Sequence, residues 1–163
     1  MPETPPARPP PPSPPPPTGW RRWRSRRVEV HDESMVPTLR PGDRLLVDPR
    51  AYRNRSPVVG ELVVLVDPEA PARWLIKRVA GVGPGRFWRT PAGITSASPE
   101  TPGAAPVPPV DAIEPITLAE STVFVTGDAP AARDSRRFGP VRFDALVGRA
   151  YRCYAPADRR RDL

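Results

Sequence analysis

The chain is poor in the residues that most often do chemistry. Among 163 residues it has one histidine, His31, one cysteine, Cys153, and one lysine, Lys77. A single cysteine excludes an internal disulfide framework. One histidine with one cysteine leaves too few nitrogen and sulfur ligands for a transition-metal site, and no cofactor is expected. No apolar run reaches the roughly 18 residues that span a bilayer, and the N-terminal residues lack the apolar stretch of a secretory signal. The expectation is a soluble, cytoplasmic protein. Sustained helical periodicity is missing too, which turns the reading toward β structure.

Proline and arginine are abundant. Of 28 prolines, 11 fall within the first 17 positions, and such a tract is extended and solvated rather than packed. The remainder, about 130 residues, has room for one domain with a real core. The net charge of +7 looks like a nucleic-acid signal until it is located, because residues 28–158 hold 16 basic and 16 acidic side chains. The excess sits at the ends, in Arg8, Arg21, Arg22, Arg24, Arg26 and Arg27 and in Arg159, Arg160 and Arg161. A nucleic-acid partner for the domain is therefore not expected. Trp20 and Trp23 lie among the first arginines, a combination that suits peripheral contact with a membrane surface as well as a linker capping the domain edge. The expected organisation is a disordered Pro- and Arg-rich tail over 1–27, one domain over 28–158, and a basic tail over 159–163.

Within the domain, short apolar runs alternate with turn chemistry. VEVHD (28–32), DRLLVD (43–48), ELVVLVD (61–67), RWLIKRVAG (73–81), STVFVTGD (121–128) and ALVGRAYRCY (145–154) read as strands, separated by Pro-Gly-Asp, Gly, Asp-Pro and Gly-Pro turns. The fold class is mostly β. Residues 91–117, with seven prolines, read as a long surface loop or insertion.

The chemistry is argued from the imbalance between one lysine and 24 arginines. A guanidinium stays charged, whereas a lysine amine loses its proton when buried. In a strand over 73–79, Lys77 shares a face with Leu75 and Val79. Loss of hydration there lowers an ammonium pKa from its ordinary value of about 10.4 toward neutrality, where the amine can act as a general base. The competing picture is a lysine whose stem covers apolar surface while its tip reaches water. Ser34 is a candidate nucleophile in HDESMVPTLRPG (31–42). His31, three residues earlier, is a rival base only if the chain turns sharply, and a solvent-facing strand histidine is expected.

Four segments in order complete the argument. SMVPTLRPGDRLLV (34–47), GELVVL (60–65), LIKRVAGVGPG (75–85) and TGDAPAARDSRRFGPV (126–141) resemble the conserved boxes of type I signal peptidases, and together they cover most of residues 28–150. The resemblance implies a signal-peptidase or self-cleaving-repressor-like coiled β-sheet domain. It implies a serine endopeptidase in which Lys77 takes the proton of Ser34. The partner is then a protein substrate bearing a cleavable N-terminal extension, either a signal peptide or a propeptide. By the same resemblance the Ser34 N–H is an oxyanion donor, Met35 packs beside the cleft, Gly127 and Asp128 form a closing turn, and Asp134 and Arg136 support the site.

Three departures stand out. Asp32 occupies the place where the family carries a hydroxyl or glycine, and a carboxylate there repels developing negative charge. Ala129 stands where the family often has an asparagine, and Ala132, one residue short of the usual spacing, is nearest the place of a serine bonded to the lysine. A Pro- and Arg-rich segment replaces the usual membrane anchor. The anchorless layout also fits maturation proteases of nickel superoxide dismutase. An inactive β-domain adaptor docking through its proline tract is a third reading. A self-cleaving repressor is not expected, because that type carries a DNA-binding domain ahead of the serine and residues 1–27 do not read as one.

Overall fold

The computed structural model describes residues 25–90, 93–96 and 114–163. The proline tract, Trp20, Trp23 and the centre of the expected 91–117 loop lie outside the described residues. In chain order the strands are β1 (Arg26–Glu29), β2 (Arg44–Asp48), β3 (Leu62–Asp67), β4 (Ala70–Val82), β5 (Gly85–Thr90) and β6 (Gly93–Thr95). They continue with β7 (Glu114–Leu118), β8 (Thr122–Thr126), β9 (Val141–Arg142), β10 (Leu146–Ala155) and β11 (Arg161–Asp162), with one helical turn, α1 (Ser135–Phe138), before β9. The fold is mostly β, as the alternating apolar runs imply. Among the described residues no helix is long and apolar enough to cross a membrane.

The larger sheet runs β1-β2-β10-β3-β4-β8-β9, with β11 paired to β10, and a smaller sheet runs β6-β5-β7. Every pairing is antiparallel. The core divides along β3. Leu62 and Val64 point into a cluster with Val30, Met35, Leu39, Leu45, Val47, Ala150 and Cys153. Val63 and Leu65 point into a second cluster with Leu75, Val79, Val123, Val125 and Val141. Because successive side chains of a strand alternate between faces, the unbroken apolar run LVVLV supplies both clusters, as a strand covered on two faces requires.

In β4 the burial alternates residue by residue from Leu75 to Gly81. Lys77 falls on the buried side between Leu75 and Val79, opposite Val63 of β3. The link between β1 and β2 is a compact turn. Leu39 N–H donates to Met35 O at 2.8 Å, and the buried Met35 and Leu39 anchor this turn in the first cluster. Gly42 N–H donates to Val30 O and Val30 N–H to Asp43 O, which closes the loop at its base. Gly42 holds φ at +89°, a conformation that favours glycine, so the Pro-Gly-Asp signal has a backbone cause.

Three expected boundaries are corrected. Arg26 and Arg27 belong to β1 and pair with Val47 and Leu46, so the sheet takes in the end of the expected tail. Residues 159–163 are not a free basic tail: β11 pairs with β10, and Leu163 packs on the first cluster. Arg159 is drawn in because Asp43, 1% exposed, needs a counter-charge. The loop expected over 91–117 contains strand at both ends, β6 and the start of β7, which pair with β5. Prolines hid that pairing, and Pro115 is accommodated in β7, which borders the smaller sheet.

Candidate active site

Ser34 lies at the start of the β1–β2 turn, half-buried, just before the anchoring Met35. Lys77 reaches it from the middle of β4: Nζ donates to Ser34 Oγ at 2.5 Å, across 43 residues of sequence. Lys77 is 1% exposed. Burial among aliphatic side chains holds its amine below the ordinary lysine range, against the opposing pull of the Asp32, Asp134 and Asp67 carboxylates. The Arg133 guanidinium adds to the depression. His31 is exposed, and among the described residues it makes no hydrogen bond to Ser34.

The backbone of Ser34 is held on both sides. Its carbonyl accepts from Ala129 N–H at 3.0 Å. The Gly127–Asp128 turn at the end of β8 lies so close that a Cβ on Gly127 would stand 2.6 Å from Ser34 O and 2.2 Å from Ala132 Cβ. Glycine is therefore required by close approach, whatever its torsions. On the other side Ser34 N–H donates to Asp32 Oδ1 at 2.9 Å. That alters the expectation for an open oxyanion donor: the expected N–H already carries a carboxylate. Asp32 has not turned away, because an aspartate two residues ahead of an N–H readily closes an Asx turn. Partial burial pushes the Asp32 carboxyl up, but the Ser34 hydroxyl and N–H, with Lys77 and Arg73, outweigh it and hold the group below its usual range.

Asp134, fully buried, caps α1 and gathers four donors. Gly127 N–H reaches it at 2.8 Å, Arg136 N–H at 3.0 Å, and the Arg136 guanidinium at 2.9 and 2.7 Å. The Asp-Ser-Arg segment thus fixes the glycine that crowds Ser34. Its middle residue, Ser135, is also buried and accepts from Val125 N–H at 3.0 Å. Met35 is turned inward at 1% exposure and belongs to the core beneath the turn rather than to the rim of a cleft. Ala132 contributes a methyl packed over Gly127 rather than a hydroxyl. Among the described residues Ser34 Oγ is the one hydrogen-bond partner of Lys77 Nζ.

Two supporting arginines escaped the sequence reading. Arg78, next to Lys77 but on the other face of β4, grips Asp128 with Nε and Nη2 at 2.8 and 2.7 Å. It also donates to Gly60 O at 2.9 Å and Thr38 Oγ1 at 3.3 Å. One guanidinium thereby ties the Gly127–Asp128 turn, the approach to β3 and the Ser34 turn together. Arg133 pairs with Asp67, which is fully buried, and with Glu69. The signal for Arg78 was its place beside the lysine. Nothing in the sequence separates Arg133 from the other arginines.

A hydroxyl bonded to a buried amine of depressed basicity can attack an electrophilic carbonyl, with the amine receiving its proton. A family model described as signal peptidase, peptidase S26, matches residues 21–155. The chain belongs to this family.

The S26 chain is 35% identical over 122 residues to the mitochondrial ATP-independent inner membrane protease subunit 1b of Arabidopsis thaliana, covering 74% of this chain and 64% of that protein. It is 29% identical over 140 residues to a protein named "Probable signal peptidase I-1" of Synechocystis sp., covering 80% and 71%. Against the two Arabidopsis subunits it spans only 64% and 66% of their length. A solved signal peptidase I from Enterococcus faecalis aligns with a TM-score of 0.42 at 20% identity, over 58% of this chain and 97% of that one.

Proposed function

We propose that this S26 chain is a serine endopeptidase that removes an N-terminal signal peptide or propeptide from another protein, with Ser34 as nucleophile and Lys77 as general base. The observation that carries the reading is the 2.5 Å contact between Lys77 Nζ and Ser34 Oγ, with the lysine 1% exposed.

Neutral Lys77 accepts the Ser34 hydroxyl proton as Oγ adds to the scissile carbonyl carbon. The tetrahedral intermediate collapses with cleavage of the C–N bond, and the Lys77 ammonium gives its proton to the departing amine. The new N-terminus leaves. Water then adds to the acyl ester, Lys77 takes a proton from it, and the proton returns to Oγ as the acid product departs. Gly127, Asp128, Asp134 and Arg136 act as positioning residues for the turn whose Ala129 N–H bonds the Ser34 carbonyl. An adaptor has no use for a buried amine held on a serine, which favours the enzyme reading.

Comparing the N-termini of cellular proteins with and without the chain tests the reading and names the substrates. Ser34→Ala must leave the same extensions uncut as deletion does, and identical N-termini in all three backgrounds would refute it. For location the proposal is a peripheral position at a cytoplasmic membrane surface, with Trp20, Trp23 and the arginines beside them in contact. Co-sedimentation with anionic vesicles, lost in Trp20→Ala/Trp23→Ala, is the check.

A further inference from the structure

We propose that Asp32 is a displaceable stopper on the catalytic serine. In the free chain its carboxylate holds the Ser34 N–H that the substrate's reacting carbonyl oxygen needs, and productive binding requires it to swing off. The inference rests on the protease reading of Ser34 and adds to it a built-in resting state.

The geometry has three parts. The 2.9 Å bond from Ser34 N–H to Asp32 Oδ1 engages the one backbone donor that travels with the nucleophile itself. The bond from Ala129 N–H to Ser34 O fixes the other end of the residue, so Ser34 cannot simply roll its N–H away from Asp32. Asp32 is exposed, so its side chain has open water to move into when a substrate arrives. A carboxylate and an oxyanion cannot share this donor, because two negative oxygens at hydrogen-bond distance from one N–H repel each other strongly. An Asx turn explains why the bond forms, and it leaves the consequence for catalysis unchanged.

The same carboxylate acts on the base. Lys77 faces Asp32, Asp67, Asp134 and Arg133, and its hydroxyl partner is Ser34. Asp67 and Asp134 are each engaged by an arginine, and Asp32 is the first of the charges opposing the burial effect on the amine. In the resting state Asp32 therefore favours the ammonium, which cannot accept a proton. A substrate that displaces the carboxylate frees the donor and eases deprotonation of Lys77 in one movement. Resting and working states differ by one side-chain rotation.

The test compares the full chain with Asp32→Asn, Asp32→Ser and Ser34→Ala. Asparagine keeps an oxygen able to close the Asx turn without the charge, and serine keeps a shorter acceptor. With a peptide carrying small residues before the scissile bond, kcat/KM should rise on the order of ten-fold in Asp32→Ser and less in Asp32→Asn. That is a fraction of the roughly hundred- to thousand-fold that one oxyanion donor is worth. The rising limb of the pH–rate profile should move to lower pH in both. Lys77 is the chain's single lysine, so lysine-selective isotope labelling gives one side-chain signal whose titration must move the same way in the substrate-free chain. Unchanged or reduced kcat/KM in both variants, with the lysine titration in place, would overturn the stopper while Ser34→Ala still reports on the protease reading. Wild-type cleavage no faster than Ser34→Ala would overturn the protease reading and the stopper's role in it.

Discussion

Replacing Lys77 by methionine separates what the lysine does for catalysis from what it costs the fold. Methionine matches the stem in length and suits the face that Lys77 shares with Leu75 and Val79. The base is gone, so cleavage should fall by at least the roughly hundred- to ten-thousand-fold that a positioned general base contributes. Stability should move the other way. Burial lowers the Lys77 pKa below its unfolded value of 10.5, so between the two values the unfolded chain binds more protons than the folded one. Stability of the parent therefore rises with pH across that window. The destabilisation is complete below the folded pKa and absent above the unfolded one. Each tenfold displacement of the proton equilibrium is about 1.4 kcal/mol, set against about 1 kcal/mol for the hydrogen bond to Ser34 that the variant loses. Methionine does not titrate, so the variant's advantage should be widest below the folded pKa of Lys77 and shrink toward alkaline pH. Urea unfolding at a series of pH values measures it, beside a peptide-cleavage assay. Parental cleavage rates in the variant, or a stability gap that ignores pH, would refute the reasoning.

Other substitutions follow from the same geometry. Ser34→Ala should abolish cleavage with an intact fold, and His31→Ala, at an exposed site away from the hydroxyl, should cleave at the parental rate. Gly127→Ala forces a methyl against Ser34 O and Ala132 Cβ, and should cost about 1–3 kcal/mol in urea unfolding together with a fall in kcat. Arg78→Lys should recover only part of what Arg78→Ala loses in thermal unfolding, because an ammonium cannot span Asp128, Gly60 and Thr38 as the planar fork does. Asp43, held below its usual range first by the Arg159 guanidinium and then by Arg40 N–H and Arg161, contributes stability above its unfolded pKa near 3.8. That contribution should vanish as pH falls through the folded value, and Asp43→Asn should flatten this part of the acid unfolding curve.

Six strands, β1 to β4 with β8 and β10, were legible as short apolar runs bounded by turn residues. RWLIKRVAG alternates whether or not its neighbours are known, and the same alternation put Lys77 beside Leu75 and Val79. Lys77 was legible for a compositional reason, a lone amine among guanidinium groups, and its pairing with Ser34 only through the four segments that resemble signal peptidase boxes. Long-range partners were not. Arg159 meets Asp43 across 116 residues and Arg78 meets Asp128 across 50, and in sequence those arginines look like all the others. Asp32 was singled out as a hindrance, but whether it faced the hydroxyl, the N–H or water depended on the turn torsions. The strand ends within 91–117 were hidden because proline content suppresses a strand reading even where one strand edge is free to carry it.

The fastening of the Ser34 turn by residues 159–163 bears on timing. Arg159 grips Asp43 at the base of the turn, Arg161 donates to Thr38 O, and Leu163 N–H closes onto Tyr151. During synthesis Ser34 and Lys77 leave the ribosome long before these three residues do. A growing chain can therefore pair its central strands while the Ser34 turn still lacks the contacts of Arg159 and Arg161. Until then the turn rests on its own backbone bonds and on the core contacts of Met35 and Leu39.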